Sequence, residues 1–153
     1  MSGLSPQEAV ERALAASRSE DCVVIAEETS SANLRWAGNT LTTNGVSSSR
    51  QLTVIAIDGA SAGIISRAGV GPDQIEEVVR EAEHAAAEAT PAEDAAQVTG
   101  GDEAGPFGGK NDEPGWDWMP GRTEIGVLRD FAAALGETLR QAQAAERKLY
   151  GFA

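Results

Sequence analysis

The feature that most constrains the fold is a long stretch of strand-like sequence, Cys22–Arg67, interrupted by turn signals. Within it, Leu34 and Trp36 alternate with Arg35, which is the two-residue period of a strand with one buried face. Three dipeptides can turn the chain back on itself: Gly38-Asn39, Asn44-Gly45 and Asp58-Gly59. The sequence does not decide which of the first two makes the first hairpin. The whole stretch predicts an antiparallel meander.

Two further segments complete the predicted sheet. The run Cys22–Ala26 is continuously apolar and rich in β-branched residues, which predicts a strand covered on both faces. A strand over residues 52–57 is expected to be central. Leu52, Val54 and Ala56 on one face alternate with residues 53, 55 and 57 on the other, and both faces are largely apolar. Residues 62–67 then predict a fourth strand, and Tyr150–Ala153 resembles the start of another.

Helical periodicity predicts three helices around this sheet. The first begins at Pro6, with Ser5 as the cap and Glu8 completing a capping box, and is expected to run to about Arg18. Its predicted buried face consists of Val10, Ala13, Leu14 and Ser17. The second helix starts near Pro72 and is expected to bury Ile75, Val78, Val79, Ala82 and Ala86. The third is expected to bury Leu128, Phe131, Leu135, Leu139 and Ala142. The predicted fold class is α+β, with an antiparallel meander of about four strands packed against two to three helices.

Composition divides the chain into three parts. Residues 1–97 form the predicted α+β body, and residues 98–122 are a Gly-rich acidic loop without periodicity. Residues 123–153 are expected to complete the domain with a short extended piece over 123–127, the third helix and the final strand. The final residues, Tyr150–Ala153, are apolar, with no polar ending.

Charge and cysteine content narrow the class of partner and the compartment. The formal net charge of −12 disfavours nucleic acid and anionic membranes as partners, because both bind basic surfaces. The single cysteine, Cys22, allows no internal disulfide and suits the reducing cytoplasm. No apolar run approaches the roughly 20 residues of a membrane-spanning helix. The predicted location is therefore cytoplasmic.

The sequence offers no catalytic constellation. His84 is the only histidine, and no second histidine lies one helical turn away to make a zinc motif. We interpret it as a solvated helix residue. Cys22 lies in an apolar strand with no basic residue near it in sequence, which favours an inert thiol. We expect no catalytic residue, no metal ligand and no cofactor in this chain.

Four residues are candidates for binding a peptide or a protein partner. Arg35 and Arg50 are basic residues on the sheet of an acidic protein and could hold carboxylates, although such residues more often form local ion pairs. Trp116 and Trp118 fall on one side of a short segment and could anchor a partner. Alternatively, the two tryptophans cover the edge of the domain's own core.

Several strings, in order, resemble the N-terminal domain of the TldD/PmbA family, whose members are labelled metalloproteases or modulators of gyrase. The strongest string is residues 33–45, NLRWAGNTLTTNG. Similar strings follow at Leu52–Ala56, Asp58-Gly59 and Ala62–Ser66, and then come a helix like Pro72–Glu88 and the ending Leu149–Ala153. The resemblance runs over residues 6 to about 97 and again over 123–153, and the acidic loop between them departs from the family's usual short connection.

The resemblance implies a role in proteolysis without catalysis by this chain. The family's active members are zinc peptidases whose metal is held by a His-Glu-x-x-x-His helix and a cysteine in the C-terminal domain, and no such motif occurs here. The zinc is therefore expected in the C-terminal half or in a TldD/PmbA-like partner subunit. Family dimers admit extended peptides, so the implied role is assembly and substrate admission. The alternative is a stand-alone module that captures peptides or a partner by β-augmentation.

Overall fold

The structure is a computed structural model and describes residues 4–96, 98, 116 and 119–153. In chain order the elements are helix α1 (Pro6–Ala16), strands β1 (Asp21–Ala37), β2 (Thr40–Asp58) and β3 (Ser61–Ala68), a 3-10 turn (Pro72–Gln74), helix α2 (Ile75–Glu88), a 3-10 turn (Ile125–Leu128), helix α3 (Arg129–Ala144) and strand β4 (Tyr150–Phe152). The strands form one sheet in the order β3-β2-β1-β4. The pairings β2–β3 and β1–β4 are antiparallel, and the predicted α+β class is confirmed.

The first hairpin turns at Gly38-Asn39. Both residues have positive φ, 58° and 69°, as a two-residue turn of the primed type requires. Asn44 and Gly45 lie inside β2 instead. The second hairpin turns at Gly59, with Asp58 opposite Ser61. Strand β2 has a neighbour on each side, as predicted for the segment 52–57.

Three details of the predicted sheet were wrong. The segments predicted as separate strands, 22–26 and 33 onwards, belong to the single strand β1, because the polar residues between them also pair in the hairpin. That strand is not covered on both faces, since Ile25 is 45% exposed. The extended piece predicted over 123–127 does not continue past Glu124, whose backbone is extended with φ −128° and ψ 161°. The amide of Val127 donates to the Glu124 carbonyl at 3.0 Å, so the chain coils into a 3-10 turn that leads into α3.

The described chain divides into two compact units, and each takes part of β1 and β2. Unit 1 comprises residues 1–28 and 50–119, and unit 2 comprises residues 29–49 and 120–153. This division crosses the boundaries predicted from composition, because the outer half of the first hairpin groups with the C-terminal segment. Most of the predicted acidic loop, 98–122, lies outside the described residues.

The core of unit 1 lies between its part of the sheet and the helices α1 and α2. All five residues predicted for the buried stripe of α2 are buried. They pack with Ala13 of α1 and with Leu52, Val54 and Ala56 of β2. Gly63 on β3 permits the close approach of α2, since a Cβ there would overlap the backbone of Ala82 and Ala86.

Helix α1 follows its predicted start more closely than its predicted end. Ser5 and Glu8 form the expected capping box, with Ser5 Oγ accepting from the Glu8 amide at 3.1 Å. The helix ends at Ala16 rather than near Arg18. Leu14 was assigned to the buried face, but it is exposed, because only the narrower stripe of Val10 and Ala13 meets the core.

Unit 2 has a smaller core, made by Leu34 with Leu135 and Leu139 of α3. Trp36 packs against this cluster, and its ring lies 6.0 Å from that of Phe131. Arg35 is exposed, so the predicted face assignment is confirmed. Phe131 was predicted to be buried, but it is 43% exposed at the start of α3, although its ring contacts Trp36. No helix in the described part of the chain has both the length and the apolar character needed to cross a membrane.

Candidate functional site

The outer strand β4 presents aromatic side chains on one face of unit 2. Phe152 lies opposite Arg35, and Tyr150 lies opposite Ala37. Residues directly opposite on paired strands share a face, so these four residues lie on the side of the sheet away from Leu34 and Trp36. Phe152 is 82% exposed and Tyr150 is 67% exposed. We call Arg35, Ala37, Tyr150 and Phe152 the β4 face.

Strand β4 is held in place by backbone pairing and by a close approach to Trp36. Leu34 and Ala153 exchange two backbone hydrogen bonds of 2.9 Å each. Gly151 lies opposite Trp36, and a Cβ on this glycine would come within 2.9 Å of Trp36 Cε2. The glycine between the two aromatic residues therefore lets the indole ring approach β4 closely, on the face opposite to Tyr150 and Phe152.

The first hairpin also fixes the segment that leads into β4. The side chain of Asn39 donates from Nδ2 to the Arg147 carbonyl and accepts from the Leu149 amide at Oδ1, each at 2.7 Å. Before this segment, α3 ends with Glu146 at a φ of 55°. The amide of Arg147 donates to the Ala142 carbonyl at 2.8 Å and that of Glu146 to the Gln143 carbonyl at 3.1 Å, which is a Schellman motif.

Unit 1 contains a separate feature, an apolar cavity of about 550 Å³. Its walls come from the start of α1, from β1 and β2, and from the segment that leads into α2. The apolar lining residues include Leu4, Pro6, Ala26, Leu52, Val70 and Ile75. A volume of this size is typical of small-molecule sites, which usually lie between roughly 300 and 1,000 Å³.

Arg50 lies at this cavity and is paired locally. Its Nε and Nη2 donate to Glu28 Oε1 at 3.1 and 3.0 Å, and its Nη1 donates to the Leu4 carbonyl at 3.0 Å. Both bonds to Glu28 fall on the same oxygen. The other, Oε2, is buried and has no hydrogen-bond partner among the residues that the structure describes. Sequence reasoning singled out Arg50 but did not identify Glu28, although the Glu27-Glu28 pair directly follows the apolar run of β1.

The remaining candidates are distributed along the chain. Trp116 is exposed, and its carbonyl accepts from Gln7 Nε2 at 2.7 Å, whereas Trp118 lies outside the described residues. Arg35 belongs to unit 2 and Arg50 to unit 1. Arg67 donates from Nη2 to the Glu81 carboxylate, and this hydrogen bond raises the pKa of the Arg67 guanidinium.

Sequence analysis did not identify Tyr150 and Phe152 as binding candidates. The available signal was their alternation about Gly151 in a segment predicted to be a strand. The exposure of both rings depends on which face of β4 meets Trp36, which the sequence alone does not specify. Within residues 4–96, 98, 116 and 119–153, no three His, Cys, Asp or Glu side chains are grouped as metal ligands.

Comparisons with known proteins agree with the fold. Residues 22–86 match the family model described as PmbA/TldA metallopeptidase domain 1. The crystal structure of TldE from Thermococcus kodakarensis is similar over 89% of this chain, with a TM-score of 0.59 and 14% sequence identity. The chain spans only 28% of that protein. No match is found among curated protein sequences. The match over residues 22–86 supports an N-terminal domain of the TldD/PmbA family, and the likeness to TldE agrees with that fold.

Proposed function

We propose that this chain is a non-catalytic, N-terminal part of a TldD/PmbA-like metallopeptidase and serves assembly and the admission of extended peptides. The zinc and the groups that hydrolyse the peptide bond would come from a C-terminal region or from a TldD/PmbA-type partner subunit. We assign no step of hydrolysis to the residues of this chain. We propose that the chain acts in the cytoplasm. Modulation of gyrase is a label given to the family and is not part of this proposal.

The observation that carries this proposal is the β4 face. Two aromatic residues and an arginine, the residue types that dominate interface hot spots, lie next to one another on an outer strand. Large exposed apolar side chains grouped in one place mark surfaces that bind a partner. Burying Tyr150 and Phe152 against a subunit would remove about 150–250 Å² of aromatic surface per ring from water.

The comparisons support this proposal in two ways. The matching family model is itself described as the first domain of a metallopeptidase. This chain covers only 28% of TldE, the similar structure. The remaining length of TldE is enough for further domains with other functions. We infer that the β4 face contacts such a region or the partner subunit.

The test is association with a TldD-type metallopeptidase subunit, followed by analytical ultracentrifugation and by hydrolysis of an unfolded peptide. Tyr150→Asp places a charge on the β4 face and should weaken association about tenfold or more, as loss of a hot spot does. Val127→Asp is the matched control. Val127 is apolar and also 67% exposed, but it lies in the 3-10 turn before α3. Equal effects of the two changes would contradict a specific role for the β4 face.

The alternative, a stand-alone module, is favoured by the position of β4 as the outer strand beside β1. An extended peptide could add to that strand by backbone pairing. In this case the chain should bind an acidic extended peptide without any partner subunit, and Arg35→Ala should weaken that binding, because the guanidinium on the β4 face is removed. Peptide binding by the isolated chain, together with no association with the metallopeptidase subunit, would favour this module over the proposed assembly role.

A further inference from the structure

The apolar cavity of unit 1 contains one polar group whose hydrogen bonding is incomplete. The Glu28 side chain is only 10% exposed, and Arg50 satisfies its Oε1 twice while Oε2 has no partner in the described part of the chain. A buried acceptor without a donor is unfavourable, and the penalty is larger for a charged group. A ligand that brings a donor to this carboxylate would remove the penalty.

Backbone amides at the two helix starts around the cavity already have acceptors within the fold. At the start of α1, the Ser5 amide donates to Glu8 Oε2 at 2.8 Å and the Glu8 amide donates to Ser5 Oγ. At the start of the turn before α2, the Gly71 amide donates to Gln74 Oε1 at 3.0 Å. These amides at the two helix starts therefore do not need an anion as a ligand. The group that lacks a partner among the described residues is the acceptor Glu28 Oε2, which requires a hydrogen-bond donor.

The charges around the cavity point the same way. Its described ionisable lining residues are Glu27, Glu28 and Arg50, which together carry a net charge of −1. The whole chain carries −12, so the long-range field also attracts cations. The terminal torsion of a glutamate side chain is broad, so the Glu28 carboxylate can turn Oε2 towards the cavity without a backbone change.

We propose that this cavity binds an apolar molecule that carries one protonated amine. The apolar body would occupy the space between Leu4, Leu52, Val70 and Ile75, and the ammonium would donate to Glu28 Oε2. Arg50 would remain beside the carboxylate and keep it at the cavity. This inference does not depend on the proposed role of the β4 face, which belongs to unit 2.

The experiment compares hexylamine, hexanol and hexanoate as probes of equal chain length, using isothermal titration calorimetry and amide NMR shifts on the full chain. Hexylamine should bind about tenfold or more tightly than hexanol, because it adds a charge-assisted hydrogen bond, and hexanoate should bind weakest. Amide shifts should concentrate at residues 26–28, 50–52 and 70–75. Equal binding of the three probes, no binding of any, or a preference for hexanoate would overturn the proposal.

Two variants separate recognition of the amine from filling of the cavity. Glu28→Gln keeps the shape of the side chain and should remove the preference for hexylamine over hexanol, whereas Glu27→Gln, on the exposed neighbour, should reduce it by less than threefold. Ala9→Phe projects a ring into the cavity from α1 and should block all probes. Unchanged hexylamine binding by Glu28→Gln, in a variant with a normal melting curve, would overturn the proposal. If Glu28→Gln does not fold, the test is Ala9→Phe: hexylamine binding by that variant at the wild-type level would overturn the proposal.

The same chemistry occurs at the amino terminus of a peptide with an apolar first residue. To test whether a peptide amino terminus can be the ligand, we would compare two forms of a tripeptide that begins with leucine, one with a free amino group and one with an acetylated amino group. Binding of the free form alone would support the site and extend it to peptides. Equal binding of both forms would overturn recognition of the cationic amine.

Discussion

The two compact units differ in how completely they bury their apolar side chains. Of the fourteen buried apolar residues described, ten belong to unit 1 and four to unit 2. In unit 1, two helices pack on the sheet, and α2 approaches closely enough that only glycine fits at position 63. In unit 2, a single long helix covers one face of the outer hairpin, and aromatic residues remain exposed on the other.

This difference indicates where stability and interaction are located. Buried area is the main source of folding free energy, at roughly 25 cal/mol per Å² of apolar surface. Unit 1 therefore holds most of the stabilising core. Unit 2 has a core of three leucines and a tryptophan and would gain most from a partner that covers the β4 face. Four predictions test this contrast, from the largest expected effect to the smallest.

The largest effect is expected at the helix–sheet contact of unit 1. Gly63→Val should destabilise the protein by about 3 kcal/mol or more, because the new side chain overlaps the backbone of α2, which cannot rotate out of the way. Gly45→Val is the control, since a Cβ at this position in β2 meets nothing within 4 Å. Denaturant unfolding of both variants gives the comparison. Similar losses in the two would show that the close approach at Gly63 is not a tight constraint.

In unit 2, Leu34→Ala should cost about 2–5 kcal/mol, because Leu34 is only 1% exposed and is central to the small core. If the two cores open separately, amide exchange should accelerate in α3 and remain slow in α2. Arg35→Ala, one residue along on the exposed face, should change the free energy of unfolding by less than about 0.5 kcal/mol. Equal acceleration in both helices would mean that the units unfold as one.

A smaller effect is expected at the start of α1. Ser5→Ala removes the cap and should cost about 1 kcal/mol in chemical unfolding. Hydrogen bonding to the Glu8 carboxylate, first from the Ser5 amide and then from the Ser5 side chain, also lowers the pKa of Glu8. The folded pKa lies below the unfolded one, so this contribution is present above the ordinary glutamate range and is lost as the pH falls through the folded value. Wild type should therefore lose more stability on acidification than Glu8→Gln, and parallel pH curves for the two would contradict the capping box.

The smallest effect is expected at the end of α3. Glu146 has a φ of 55°, which is unfavourable for a residue with a Cβ. Glu146→Gly should stabilise unit 2 by about 0.5–1 kcal/mol, since glycine adopts this conformation freely. Glu146→Ala removes the same carboxylate but keeps the Cβ, so the difference between the two variants isolates the backbone term. Thermal melts in which alanine is as stable as glycine would contradict this explanation.

Sequence periodicity predicted the parts of this protein that depend on local geometry. The stripe of α2 follows from a period of 3.6 residues, and the opposite orientations of Trp36 and Arg35 follow from a period of two. The predictions for Ile25, Leu14 and residues 125–127 were wrong, because exposure and helical coiling depend on what packs nearby. Arg50 was recognised as a candidate, but its partner Glu28 comes from a neighbouring strand 22 residues away.

The sequence by itself determined the three helices with the start of α1, the opposite faces of Trp36 and Arg35, and the α+β class, because periodicity, capping and turn residues act over a few neighbouring positions. Only the tertiary structure decided that Gly38-Asn39 rather than Asn44-Gly45 makes the turn, since both dipeptides tolerate positive φ and long-range pairing selects between them. It also decided that β4 pairs with β1 and leaves Phe152 exposed beside Arg35. The pairing of β4 with β1 joins residues more than a hundred positions apart, and no local pattern in the chain specifies such a contact.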